Sequence, residues 1–251
     1  MNMTRKNPIG FLSGNLLKIL AMVAMSIDHF AVLFHPYDLN WRIVGRIAFP
    51  IFAFFLAEGF RYTKNRLRYF LTLAVAGILF QVVYYCFTHG EMRNIFITLA
   101  LALLPLFPLE ATKKALLDKE ASLLKKVLFP TALCLTVYAL FLFCQYYKPD
   151  YGFYGVMLPF SASLFHAPRH VDCPDWWKKL DILPVHLICT LPALFLLNHT
   201  FGSIQHYSLL ALVLLAFYSG ERGKWRMKYF FYIYYPVHLV ALEGLYLLLL
   251  P

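Results

Sequence analysis

Leu16-Leu17-Lys18-Ile19-Leu20-Ala21-Met22-Val23-Ala24-Met25-Ser26-Ile27-Asp28-His29-Phe30-Ala31-Val32-Leu33-Phe34 is apolar apart from Lys18, Ser26, Asp28 and His29, and long enough to cross a bilayer. A carboxylate and an imidazole are costly in hydrocarbon. They are kept there where they pair inside a bundle or do chemistry. The segment therefore reads as a transmembrane helix with a functional centre in its last third.

The rest of the chain has the same character. Hydrophobic residues make up 61% and charged residues 14%, and bilayer-length apolar runs recur from end to end, a pattern foreign to soluble domains. Nine spans are expected, at Asn15–Phe34, Arg42–Phe60, Arg68–Phe87, Asn94–Leu109, Lys125–Tyr147, Tyr151–Phe165, Ile182–Asn198, Phe201–Ser219 and Tyr229–Leu250. The fourth and sixth are short, as tilted or broken helices would be. The fold class is all-α, a polytopic membrane bundle forming one integral-membrane domain over 1–251, with no soluble domain. The first span lacks a small-residue cleavage site and reads as a retained helix rather than a signal peptide.

Charge sets the orientation, because cytoplasmic loops near span ends are enriched in Lys and Arg. With the N-terminus inside, Arg5, Lys6 and Lys18 face the cytoplasm, as do Arg61, Lys64, Arg66 and Arg68 after the second span. Lys113, Lys114, Lys119, Lys125 and Lys126 follow on that side, then Arg169, Lys178 and Lys179, then Arg222, Lys224, Arg226 and Lys228. Only Arg42, Arg93 and Lys148 fall outside, and Arg46 lies within the second span. One miscounted span would reverse every later loop, so the parity is strongly constrained. The net charge of +10 follows from this arrangement. The cations are spread over short loops, which argues against nucleic acid and for lipid headgroups or a phosphate-bearing cytoplasmic substrate.

The five cysteines, Cys86, Cys134, Cys144, Cys173 and Cys189, have no CxxC spacing and read as small apolar fillers. His166, His170 and Cys173 lack a fourth partner, so no metal is expected. Pro-Val-His-Leu occurs at 184–187 and 236–239 in unlike surroundings, which is chance rather than a repeat. Tyr84-Tyr85, Tyr146-Tyr147, Trp176-Trp177 and Tyr234-Tyr235 sit near span ends as an interfacial belt.

A helix rise of 1.5 Å per residue places Asp28 roughly 20 Å from the cytoplasmic end of its helix. The second span runs back down and brings Arg46 to a similar depth, so an Asp28–Arg46 ion pair is expected. Neighbouring helical residues point about 100° apart, so Asp28 does not orient His29, which is left to titrate. Gln81, Asn94, Tyr154 and His238 fall in the middle or outer half of the membrane on other spans; each also serves as ordinary interhelical glue in many bundles. Lys18 shares a helix face with His29 about 16 Å away. A phosphate-bearing donor anchored at Lys18 would present its reactive end near the histidine, and snorkelling to lipid phosphate is an equally simple role for the same lysine. Glu58 and Arg61 have the spacing of a structural i,i+3 pair. Glu243 is placed either in the bundle or at the outer interface.

Leu17-Lys18-Ile19 through Ser26-Ile27-Asp28-His29, then Gly45-Arg46-Ile47-Ala48-Phe49-Pro50-Ile51-Phe52-Ala53, resembles the TraX family of bacterial membrane proteins, and so do Tyr154-Gly155 and Tyr235-Pro236-Val237-His238-Leu239. Residues 100–150 carry no such block. The resemblance implies an inner-membrane protein related to acetylation of the pilin N-terminus, with acetyl-CoA as donor and no metal. The arrangement is more distantly similar to the acyltransferase-3 class, which moves acyl groups from cytoplasmic CoA to outward acceptors. It implies roles for Asp28, His29, Arg46 and His238, and leaves the acceptor as a pilin amine, a glycan hydroxyl or a lipid. The expected chemistry has His29 as general base and Arg46, Asn94 or Tyr154 at the oxyanion, with Gln81 among the binding groups. An acetyl-histidine relay through His238 is an alternative route. Two other classes fit the same residues: a proton-coupled transporter using Asp28, His29 and Arg46, and a structural assembly factor.

Overall fold

A computed structural model describes residues 7–88, 94–224 and 227–249; Arg5, Lys6, Arg93 and Arg226 of the charge tally lie outside them. Helices account for the secondary structure, and no strand is present among the described residues. The helices are α1 (Gly14–Phe34), α2 (Leu39–Gly45), α3 (Ala48–Tyr62), α4 (Arg66–Thr88), α5 (Ile95–Leu103), α6 (Leu106–Leu117) and α7 (Leu123–Tyr147). They continue with α8 (Gly152–Ala162), α9 (Asp175–Leu180), α10 (Leu183–Phe201), a 3₁₀ turn at Ser203–Leu209, α11 (Leu210–Ala216) and α12 (Lys228–Leu249). The chain forms two compact units, one of residues 1–52 with 198–251 and one of 53–197.

Among the described residues seven segments are long and apolar enough to cross a membrane, the second being Leu39–Tyr62 and the fourth Ile95–Leu117. Two of these are bent by proline. Pro50 has no N–H to bond the carbonyl of Arg46 and its ring crowds that carbonyl, so α2 and α3 part at Arg46-Ile47. Pro108 acts likewise on Leu104 and separates α5 from α6. The fourth span is longer than expected, because α6 continues past Leu109 through Glu110 to Leu117.

The sixth and eighth expected spans are the short ones. α8 has 11 residues, and the eighth is a 3₁₀ turn followed by the 7-residue α11. α8 is nevertheless tethered at both ends to the fourth span. Thr98 Oγ1 at the start of α5 donates to Asp150 O before α8 at 2.9 Å, and Lys113 Nζ near the end of α6 donates to Ser163 O after it. α8 is shielded by protein along Gly155, Val156, Leu158, Pro159, Ser161 and Ala162, which is where irregular backbone at membrane depth is tolerated.

Within each unit the cation-rich loops share an end, as the charge pattern requires. In the first unit Gly14 N and Asn15 N donate to Glu221 O and Arg222 O at 2.8 and 2.9 Å. These bonds satisfy the orphan donors of α1 and join its start to the loop before α12. In the second unit Arg61, Arg66, Glu110, Lys113, Arg169 and Asp181 are linked by hydrogen bonds at one end. By contrast α7 turns Leu128, Leu135, Tyr138 and Leu142 outward, a surface suited to acyl chains.

Candidate functional site

In the first unit Asp28 and His29 lie on neighbouring faces of α1, and each faces a different element. α2 crosses α1 at Gly45, where an added Cβ would stand 2.2 Å from Asp28 Cβ and 2.6 Å from its Cγ. Only a residue without a side chain permits that approach. Gly45→Ala is therefore expected to push α2 off α1 and lower thermal stability in detergent by about 1–3 kcal/mol, as overpacking does; an unchanged unfolding midpoint would refute this.

The close crossing brings Arg46, at the helix break, against the carboxylate. Arg46 Nη2 donates to Asp28 Oδ2, Nη1 to Gln205 Oε1 at 3.3 Å and Nε to Arg42 O at 3.1 Å. Arg42 adds a second cation, its Nε 3.5 Å from Asp28 Oδ1. The Asp28 and Arg46 side chains are 13% and 11% exposed, so the pair is largely removed from solvent. Arg42 was placed outside by the charge count and Gln205 was not singled out; both belong to this centre. Arg42 precedes Arg46 by one helical turn, the one signal that could have marked it.

His29 faces α12. Its Nδ1 lies 2.7 Å from His238 Nε2, and His238 Nδ1 lies 2.9 Å from Tyr234 O. The His29 and His238 rings are 13° from parallel with centroids 5.0 Å apart. Tyr235 meets both rings edge-on, at 6.4 and 5.6 Å. Ser26, one turn before His29, gives its hydroxyl proton to Met22 O at 3.0 Å, so the Tyr234 hydroxyl, 2.7 Å away, donates to Ser26 Oγ. Lys18 lies at the loop-rich end of α1 with Nζ 5.2 Å from the Phe231 ring centroid. Glu243 is exposed on α12.

Asn94, Gln81 and Tyr154 belong to the second unit. Asn94 is 2% exposed and uses both amide ends on backbone: Nδ2 donates to Gly77 O at 2.8 Å, and Oδ1 accepts from Phe96 N at 2.9 Å as the cap of α5. Gln81 Oε1 is buried and accepts no hydrogen bond among the described residues. Tyr154 is half-buried against Phe153, ring centroids 5.7 Å apart.

The second unit holds a polar cluster of its own. The hydrogen-bonded partner of Arg61 is Asp181 rather than Glu58, the partner the i,i+3 spacing implied, and Glu58 acts on it only as a further charge. Arg61 grips both oxygens of Asp181, because the 163–181 segment folds back over the end of α3. His186 Nε2 lies 3.0 Å from Asp181 Oδ1, and the His166 and His186 rings meet edge to face at 4.2 Å. Glu58 Oε1 is 3.3 Å from His166 Nε2. Lys113 Nζ donates to Ser163 O and His166 O, tying down the loop. A cavity of ≈ 20 Å³ between Arg61, Glu110, Lys113, Ser163 and His166 has room for one water. Both Pro-Val-His-Leu copies thus set a buried histidine in a polar cluster, His186 here and His238 in the first unit. Among the described residues no three His, Cys, Asp or Glu side chains are placed to hold a metal ion.

Burial would raise the Asp181 carboxyl, but the His186 hydrogen bond and the Arg61 guanidinium hold it below the usual carboxylate range. A depressed acid contributes stability above its unfolded value of about 3.9 and loses it as pH falls through the folded one. The unfolding midpoint of the purified protein is expected to drop on acidification below about pH 4, and to drop less in Asp181→Asn. An equal acid response in both proteins would remove Asp181 from this role.

These features define a polytopic helical membrane protein with an acid–cation pair and a histidine pair around one early helix. The chain belongs to the TraX family, whose model, described as TraX protein, matches residues 13–246. It is 29% identical over 248 residues to the probable fimbrial assembly protein FimC, serogroup H1, of Dichelobacter nodosus, covering 90% of this chain and 92% of that one. It is 40% identical over 68 residues, 27% of this chain and 25% of the other, to the uncharacterized protein RP591 of Rickettsia prowazekii (strain Madrid E). No solved structure matches it.

Proposed function

We propose that this protein is a membrane-embedded acetyltransferase of the bacterial inner membrane. It moves an acetyl group from cytoplasmic acetyl-CoA to an acceptor of the cell envelope, a pilin amine or a glycan or lipid hydroxyl. The observation that carries this reading is the pairing of His29 with His238, separate from the Asp28–Arg46 pair on the adjacent face of α1. One site thus holds a half-buried base whose proton is managed by a second imidazole, beside a carboxylate neutralised by Arg46 with Arg42 close by. The fimbrial-assembly name of the Dichelobacter relative supports an acceptor in surface-structure assembly.

In the reaction the acceptor nitrogen or oxygen attacks the thioester carbonyl carbon while His29 takes its proton. Collapse of the tetrahedral intermediate breaks the C–S bond, and the departing CoA thiolate recovers the proton from His29. Lys18, about three helical turns nearer the loop-rich end, suits a donor phosphate. Asp28 holds Arg46 and keeps a second full charge from the base. A proton-coupled transporter would use the same groups without consuming thioester.

Mass spectrometry of envelope proteins, glycans and lipids from cells with and without the gene tests the reading. An acetyl mark lost with the gene and restored by the wild-type copy is expected. Identical acetylation in both strains would overturn it.

A further inference from the structure

The hydrogen-bond directions around His238 are fixed by chemistry. Tyr234 O is a carbonyl and only accepts, so the His238 Nδ1 it contacts at 2.9 Å carries a proton. A neutral His238 then offers a lone pair at Nε2, and the His29 Nδ1 that lies 2.7 Å away must be the donor. The ring geometry agrees. The centroid separation of 5.0 Å at 13° exceeds the N···N distance by about two ring radii, so the rings lie edge to edge in nearly one plane with the N–H pointing along it. This is a hydrogen bond between imidazoles rather than a face-to-face stack.

We propose that His238 is a positioning residue that holds His29 in its Nδ1–H form, leaving Nε2 as the atom that accepts the proton in acyl transfer. The proposal rests on reading His29 as the general base. Asp28, the adjacent acid, is committed to Arg46 and Arg42, so the orienting role that a carboxylate fills in many base-catalysed sites falls to a second histidine backed by a main-chain carbonyl. The device keeps the base neutral at rest, and no carboxylate draws the acceptor's proton away from the leaving thiolate. Tyr234 serves twice: its carbonyl anchors His238, and its hydroxyl is bound to Ser26 on α1, which holds α12 at the distance the histidine bond needs.

Two variants separate positioning from proton or acetyl carriage. In His238→Gln, Oε1 replaces Nε2 as acceptor but cannot titrate or be acetylated as an imidazole; His238→Leu removes the acceptor. Thiol release from acetyl-CoA by purified protein supplied with envelope extract is expected to stay within about tenfold of wild type for Gln and to fall about 100-fold or more for Leu. Nitrogen NMR of histidine-labelled protein in lipid, assigned with His29→Ala and His238→Leu, is expected to show both residues as neutral Nδ1–H tautomers. An Nε2–H form of His29 in the wild type overturns the proposal whatever the rates. Equal loss in Gln and Leu also overturns it, because His238 would then react itself. Full activity in His29→Ala defeats the underlying reading instead, and the spectra tell that failure apart from the others.

Discussion

His29→Ala is expected to abolish acetyl transfer while leaving the protein folded. A positioned base contributes about 10²–10⁴ in rate, so turnover should fall by at least two orders of magnitude. Stability should fall only modestly. His29 is half-buried and bonds a single neutral partner, so its removal leaves His238 Nε2 without one hydrogen bond, a loss of about 1–3 kcal/mol at most. A variant that unfolds together with losing activity would mean that His29 is a packing residue. A folded variant with undiminished transfer would mean that the base lies elsewhere.

The second large effect is on stability and concerns the other face of α1. Asp28→Leu leaves the Arg46 guanidinium buried without its counter-charge, and Arg46→Met leaves the carboxylate only the more exposed Arg42 as partner. Breaking one side of a buried pair costs about 3–5 kcal/mol. Either single variant is expected to accumulate poorly and to unfold about 6–20 °C earlier. The double variant Asp28→Leu with Arg46→Met removes both charges and should recover more than half of the loss, since an apolar pair of similar volume is often neutral or better. Arg42, 34% exposed at its side chain, can turn to water when Asp28 is gone. If Asp28 serves only charge balance, the double variant should also keep transfer within about tenfold of wild type. A stable double variant without activity would make Asp28 or Arg46 part of the reacting centre.

What the sequence made legible, and what it did not, follows from the range of the forces involved. Asp28 and Arg46 were paired from helix rise alone, because two opposite charges brought to one depth in a bilayer have few other partners. Of the nine expected spans, seven are long apolar segments among the described residues, and the sixth and eighth are the short elements α8 and 203–216. Element lengths did not survive as well. Pro50 and Pro108 break their helices at residues four earlier, and the 203–216 stretch winds partly as 3₁₀, where hydropathy reads only apolar content. Gly45 was visible as part of a motif, but its reason, contact with Asp28, exists only once α1 and α2 cross.

His29 and His238 are 209 positions apart, and no local pattern joins them. The Glu58–Arg61 expectation failed for a related reason. A favourable i,i+3 spacing is worth a few tenths of a kcal/mol on an exposed helix, and a two-pronged bond to Asp181 from a folded-back loop outweighs it. Asn94 was read as a site residue because it is polar beside an apolar run. The same property makes it a helix cap, and both ends of its amide are bonded to backbone.

The most direct measurement of the central claim is the release of free CoA thiol by the purified protein in lipid vesicles given acetyl-CoA and envelope extract, with isotope in the acetyl group followed into the extract. Label appearing in an envelope molecule in proportion to thiol released, and absent with His29→Ala, is the predicted result. Thiol that stays acylated under conditions where the folded protein carries a solute or proton across the vesicle membrane would contradict it.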